Sequence, residues 1–116
     1  HYMDEAERCH RLAFILDSNL LTQGTVEEVI AATGLTTWSV SGPGLRQLME
    51  KLKESPAVEQ AVVFGNTLHV SGPDSIALER AIAEYRSDAH QWRRIDPGLE
   101  DVFIHLMNTA KNGLSR

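Results

Sequence analysis

The stretch AVVFGNTLHV, residues 61–70, decides the fold. Two short runs rich in β-branched and apolar residues flank Gly65-Asn66, a pair that accepts the positive φ angles of a tight two-residue turn. The sequence therefore predicts an antiparallel hairpin near the centre of the chain.

The segments on both sides of this hairpin repeat one pattern. Val-Ser-Gly-Pro occurs at 40–43 and again at 70–73. Each copy ends a predicted strand and begins a helix, whose first turn tolerates proline because that backbone N–H would have no partner. Apolar stripes with helical spacing follow both copies. They comprise Leu45, Leu48, Met49 and Leu52 after the first copy, and Leu78, Ala81, Ile82 and Tyr85 after the second.

A last strand is predicted at HQWRRI, residues 90–95, and its two arginines favour an edge or exposed position in a sheet. The order is then strand–helix–strand, hairpin, strand–helix–strand. This order predicts a ferredoxin-like βαββαβ sandwich, an α+β fold in which two helices cover one face of an antiparallel sheet.

The residues before this unit predict an N-terminal helix-hairpin-helix fragment. Residues 3–11 have a helical pattern, LAFIL at 12–16 is typical of a buried strand, and LLTQ at 20–23 predicts a second strand. Thr25-Val26-Glu27-Glu28 is a capping-box pattern that begins a helix over about 26–33, and Gly34 ends that helix.

A C-terminal helix follows Asp96-Pro97-Gly98, and its apolar stripe has three possible places. The stripe comprises Leu99, Val102, Phe103, Leu106, Met107 and Ala110. It must cover the open face of the sheet, dock on the N-terminal third or meet a partner, and packing within the chain is the more conservative interpretation. The candidate interaction residues are Leu99, Val102, Phe103, Leu106 and Met107.

Composition argues against several classes of function. The net charge is −5, which disfavours a nucleic-acid partner. Because Cys9 is the only cysteine, no internal disulfide can form, and a reducing cytosol is expected. The longest apolar run, LAFIL, is far shorter than the ~20 residues of a membrane helix.

Motifs for catalysis, metal binding and nucleic-acid stacking are weak or missing. The sequence has no G-x-x-x-x-G-K-[ST], G-x-S-x-G, H-E-x-x-H or C-x-x-C, and its five histidines do not have ligand spacing, so no metal is expected. Trp38 and Trp92 could stack nucleobases, but the acidic charge favours packing in the core or at its rim. The turn at 41–44 could offer N–H groups to an anion, although Pro43 removes one donor and the repeat favours a structural turn.

Both ends of the chain resemble a known family. HYMDEAERCHRLAFI at 1–15, followed by LLTQGTVEEVI at 20–30, is similar to the end of the nucleotide-binding domain of ABC transporter ATPases. The segment 96–103, DPGLEDVF, resembles the ending of an accessory C-terminal domain in ATPase subunits of the ABC-2, drug-export-like group. The sequence departs from the family at Val26, where proline is usual, and in the turn DSNLL.

The resemblance implies three parts and one catalytic residue. Residues 1–34 would be a remnant of the nucleotide-binding domain, 35–110 the accessory ferredoxin-like domain with its terminal helix, and 111–116 a disordered tail. His1 would be the switch histidine, which in the intact ATPase bonds the γ-phosphate and positions the attacking water. A terminal histidine is also what a purification tag leaves behind.

The resemblance also implies what this chain would do and where. The residues that hold ATP and Mg²⁺ would lie upstream, so this chain is expected to hold no cofactor and to hydrolyse no ATP by itself. It would serve as a regulatory or dimerisation module that contacts the rest of its subunit, a second ATPase subunit or domain and the membrane permease. It would be cytoplasmic and peripheral at the inner face of the cytoplasmic membrane. The alternative is a small-ligand-sensing regulatory domain of ACT-like architecture.

Overall fold

The structure, a computed structural model, describes residues 11–16 and 19–114. His1 and the predicted helix at 3–11, except for Arg11, lie outside the described residues. The fold is α+β, with one antiparallel sheet of two strands and one of four. In chain order the elements are β1 (Leu12–Leu16), β2 (Asn19–Gly24), α1 (Val26–Thr33), β3 (Thr36–Ser41), α2 (Leu45–Leu52), β4 (Gln60–Phe64), β5 (Thr67–Gly72), α3 (Ser75–Ala83), β6 (Gln91–Ile95) and α4 (Leu99–Leu114).

The chain divides into two compact units. Leu35–Asp96 form one unit, and the described residues up to Gly34 form the other together with the described residues from Pro97 onward. In this flanking unit β1 pairs with β2, and α4 contacts both α1 and β1. The terminal helix therefore belongs with the N-terminal third, one of the three places that the sequence allowed, whereas the predicted division placed it with residues 35–110.

The length of α4 also differs from the predicted division. Its backbone is helical through Leu114, so residues 111–114 continue the helix that the sequence analysis ended at Ala110. No proline interrupts this segment, and alanine and lysine at 110–111 are good helix formers, so the helix does not have to end at Ala110. Residues 115–116 lie outside the described part of the chain.

The central unit is one four-stranded antiparallel sheet with the strand order β4-β5-β3-β6. The predicted hairpin is confirmed, because Phe64 pairs with Thr67 and Gly65 takes a φ of 61° in the turn between them. β6 lies at an edge, as its two arginines predicted.

Both predicted helical stripes are confirmed as core surfaces. Alternate residues of the strands meet Leu48 and Leu52 of α2 and Leu78 and Ile82 of α3 in one hydrophobic cluster. The strand residues in this cluster are Trp38, Val40, Ala61, Leu68 and Val70. Because residues that alternate along a strand share one face, α2 and α3 pack on the same face of the sheet.

The second Ser-Gly-Pro turn shows why one glycine is needed. A Cβ atom at Gly72 would lie 2.2 Å from the carbonyl oxygen of Ala57, which is backbone that cannot rotate away. The loop that leads into β4 therefore rests directly on Gly72. Two residues later Asp74 caps α3, with its carboxylate accepting from the N–H groups of Ile76 and Ala77.

Candidate interaction site

The predicted catalytic residue is not described, so the site that can be examined is the apolar stripe of α4. The switch-histidine role that the resemblance implies for His1 stays a prediction. Across residues 11–16 and 19–114, no three His, Cys, Asp or Glu side chains gather into a set that could hold a metal ion. Among the helices described, none is both long enough and apolar enough to cross a membrane.

The start of α4 is fixed by local hydrogen bonds. The Gly98 N–H donates to Oδ2 of Asp101 at 3.0 Å, and the Val102 N–H donates to the Gly98 carbonyl at 3.1 Å. A carboxylate three residues inside a helix that reaches back to the cap N–H is half of a capping box. Asp101 is buried, so this bond fixes the helical register from which the apolar stripe begins.

The stripe is divided between buried and exposed residues. Leu99 and Val102 are buried, and Leu106 is half-buried. Phe103 and Met107 keep 42% and 36% of their surface exposed. Of the five predicted interaction residues, two are therefore already used by the fold, and Phe103 and Met107 are the ones left at the surface.

Phe103 also connects α4 to the hairpin. Its ring lies 6.1 Å from the ring of Phe14 in β1, centroid to centroid, with the two planes inclined at 38°. Aromatic pairs at this distance stabilise by more than their buried area alone. Phe103 thus packs on β1 with part of its ring and exposes the rest.

The outer face of the β1–β2 hairpin is a second apolar surface, and part of it lies in a strand that the sequence analysis expected to be buried. Ile15 and Leu20 are directly opposite each other in the register, and 67% and 54% of their surfaces are exposed. The prediction that LAFIL forms a buried strand is wrong for Ala13 and Ile15, which are both exposed. A two-stranded sheet that packs through Phe14 on one face leaves the other face open, and a continuous apolar run does not indicate which face that will be.

The capping box at the start of α1 is confirmed and carries the clearest electrostatic feature. The Glu28 N–H donates to the Thr25 hydroxyl at 3.1 Å, and the Thr25 N–H donates to Oε1 of Glu28 at 2.8 Å. The hydrogen bonds from Thr25 hold the pKa of the Glu28 carboxyl below its usual value, with a smaller contribution from Arg11. Arg11 Nη1 lies 4.0 Å from Glu28 Oε1, and both side chains are mostly exposed, so this ion pair adds little stability.

Trp38 and Trp92 are core residues of the central unit. Trp38 is buried within the hydrophobic cluster, and the guanidinium of Arg86 lies 5.4 Å from the centroid of its ring. Trp92 packs against the same cluster from β6. The prediction of core or rim packing is confirmed, because both rings lie on the face of the sheet that α2 and α3 cover.

The first Ser-Gly-Pro turn is held by a histidine from the loop that precedes β6. Nε2 of His90 donates to the Pro43 carbonyl at 2.7 Å, and its Nδ1 is hydrogen-bonded to the Ser87 hydroxyl at 3.2 Å. Gly44 follows as the N-cap of α2 and contributes no side-chain bond. The bonds from His90 support the interpretation of this segment as a structural turn.

No protein-family model matches the sequence, and no curated protein matches it significantly.

Proposed function

We propose that this chain is the C-terminal part of an ABC transporter ATPase subunit of the ABC-2, drug-export-like group. The observation that carries the proposal is the packing of its flanking unit. The segments that resemble the family lie at opposite ends of the sequence, in β1, in α1 and at the start of α4. All three elements belong to one compact unit, in which α4 contacts both α1 and β1, so the two ends of the sequence that carry the resemblance pack together.

The exposed hairpin supports the same proposal. A two-stranded sheet is marginal by itself, and this one exposes Ile15 and Leu20 on its outer face. In the proposed parent, the rest of the nucleotide-binding domain supplies the missing neighbours. The same upstream part holds ATP and Mg²⁺, and His1 acts there as the switch histidine that positions the attacking water.

For the central unit we propose a ferredoxin-like fold and a regulatory role. The β-α-β-β-α-β order, the antiparallel sheet order β4-β5-β3-β6 and the common face of α2 and α3 support the fold. In this proposal the unit contacts a second ATPase subunit or the permease, at the inner face of the cytoplasmic membrane, and has no ATPase activity of its own. The ACT-like, ligand-sensing alternative stays a prediction.

The decisive experiment reads the gene upstream of His1 and uses the longer protein that it encodes. We expect a G-x-x-x-x-G-K-[ST] loop and an acidic strand upstream, and Mg²⁺-dependent ATP hydrolysis by the longer protein. His1→Ala should lower kcat by at least tenfold while ATP still binds, whereas His10→Ala, the matched control, should change kcat less than twofold.

Two results contradict the proposal. One is an upstream sequence without a phosphate loop. The other is saturable micromolar binding of Mg-ATP by the 116-residue chain alone, seen as a rise in melting temperature on titration, because the proposal assigns every nucleotide-binding residue except His1 to the upstream part.

A further inference from the structure

The two edges of the four-stranded sheet have different chemistry. β6 carries Arg93 and Arg94, whereas β4 at the opposite edge has the sequence QAVVF, with no charge and no proline. Natural proteins protect sheet edges with charges, prolines or bulges, because an edge strand pairs readily with another strand. The register of β4 with β5 is unbroken from Gln60 to Phe64. β4 therefore has none of these protections.

The side chains in the C-terminal part of β4 are partly exposed at this edge, whereas Gln60 and Ala61 are buried. Val62, Val63 and Phe64 are each only half-buried. The Phe64 ring packs edge-on against the His69 ring, 5.0 Å between centroids and 69° between planes, on the face of the sheet opposite α2 and α3. β5 is the strand partner of β4 within the described part of the chain, so alternate backbone groups of β4 point outward.

The sequence of β4 is self-complementary in an antiparallel pair. With a twofold axis at Val62, each Val62 faces the partner's Val62, Ala61 faces the partner's Val63, and Gln60 faces the partner's Phe64. Each of these pairs is uncharged, and the apolar ones are the kind that stabilises neighbouring strands. A twofold interface of this kind is closed, because each copy uses the same strand.

The other edge pairings are less favourable. Two β6 strands paired about their midpoint would place Arg93 opposite the partner's Arg93, and like charges directly opposite each other destabilise a sheet. Pairing β4 with the β6 of another copy is head-to-tail, so it leaves an unprotected β4 at one end and continues into a filament.

We infer that β4 is the surface through which two copies of this chain pair, forming one continuous antiparallel sheet of eight strands. The dimer leaves β6 at both outer edges, which accounts for the arginines on β6 and their absence from β4. The interface lies in the central unit and not on the apolar stripe of α4. This inference names a surface for the contact with a second subunit that the proposed function includes, but the edge chemistry that carries it does not depend on that function.

Sedimentation equilibrium of the full 116-residue chain tests the pairing. Two five-residue strands make a small interface, so we expect a monomer–dimer equilibrium with a Kd on the order of 10–100 µM. Val62→Lys places two ammonium groups opposite each other at the axis and should raise Kd at least about 100-fold. Gln91→Lys adds the same charge at the β6 edge and should change Kd less than about threefold. Thermal unfolding followed by circular dichroism verifies that both variants fold.

Cysteine cross-linking locates the interface without disturbing it. In a Cys9→Ser background, Val62→Cys should form a disulfide-linked dimer on mild oxidation, because the two Cβ atoms face each other about 5 Å apart. Arg93→Cys occupies the same row of the sheet at the other edge and should remain monomeric. The inference is overturned by a chain that stays monomeric up to about 1 mM, by cross-linking of Arg93→Cys as efficiently as Val62→Cys, or by a dimer that Phe103→Ser dissociates and Val62→Lys does not.

Discussion

Replacing Leu99 by alanine is the most direct test of how α4 packs. Leu99 is buried in the first turn of α4, and α4 contacts α1 and β1. Truncation removes three buried carbon atoms and leaves a cavity, which typically costs about 2–5 kcal/mol for Leu→Ala. Met107→Ala is the control on the same helix. Because 36% of Met107 is already exposed, we expect it to cost roughly 1 kcal/mol or less.

Amide hydrogen exchange measures the loss of stability that each variant causes in α4 and in α1 separately. A loss of about 3 kcal/mol in the free energy of opening accelerates exchange roughly 150-fold, since about 1.4 kcal/mol corresponds to a factor of ten. We expect Leu99→Ala to accelerate exchange in peptides covering both α4 and α1, and Met107→Ala to change it less than about sixfold. Equal acceleration by both variants, or protection in α1 that Leu99→Ala leaves intact, would refute the packing on which the proposed function rests.

Two further predictions concern stability. Gly72→Ala forces a Cβ to within 2.2 Å of the Ala57 carbonyl, so we expect it to destabilise the central unit by about 2 kcal/mol or more, whereas Gly65→Asn, in a turn with open space around it, should cost much less. Urea unfolding followed by the fluorescence of Trp38 and Trp92 measures both, and an unchanged midpoint for Gly72→Ala would contradict the close approach. The second prediction is a pH dependence. Because the folded pKa of Glu28 is lowered, its stabilisation of α1 is present above the unfolded value of about 4.3 and is lost as the pH falls through the folded value. Exchange protection in α1 should therefore decrease on acidification below about pH 4.3, and Glu28→Gln should remove that pH dependence.

The elements that could be predicted are those whose signals are local. Gly65-Asn66 determines its turn through the backbone conformations that these two residues tolerate, and Thr25 and Glu28 meet because they are three residues apart in one helix. The arginines of β6 indicate an edge because burying them would be costly. Each inference needs only neighbouring residues or the chemistry of one side chain, and each is confirmed.

Local sequence signals could not predict which individual apolar residues are buried. LAFIL and the stripe of α4 are apolar over their whole length, so the sequence does not indicate which residues pack. The structure buries Leu99 and Val102 but exposes Ile15 and Met107, because α4 and the hairpin each present only one side to their neighbours in the flanking unit. That choice depends on contacts between segments more than 60 positions apart, such as the one between Phe14 and Phe103.

The central unit can interrupt the flanking unit in sequence because its own two ends lie close together. Its first and last strands, β3 and β6, are neighbours, and Thr37 pairs with Ile95. The chain therefore enters and leaves this unit at points about 5 Å apart, so the unit can interrupt another one without separating its halves. Residues up to Gly34 and from Pro97 onward can then pack together across the interruption, as the contacts of α4 with α1 show. In the proposed ATPase subunit, this arrangement makes the central unit an insertion before the last helix, and a deletion of residues 35–96 bridged by a short linker should keep α4 packed on α1.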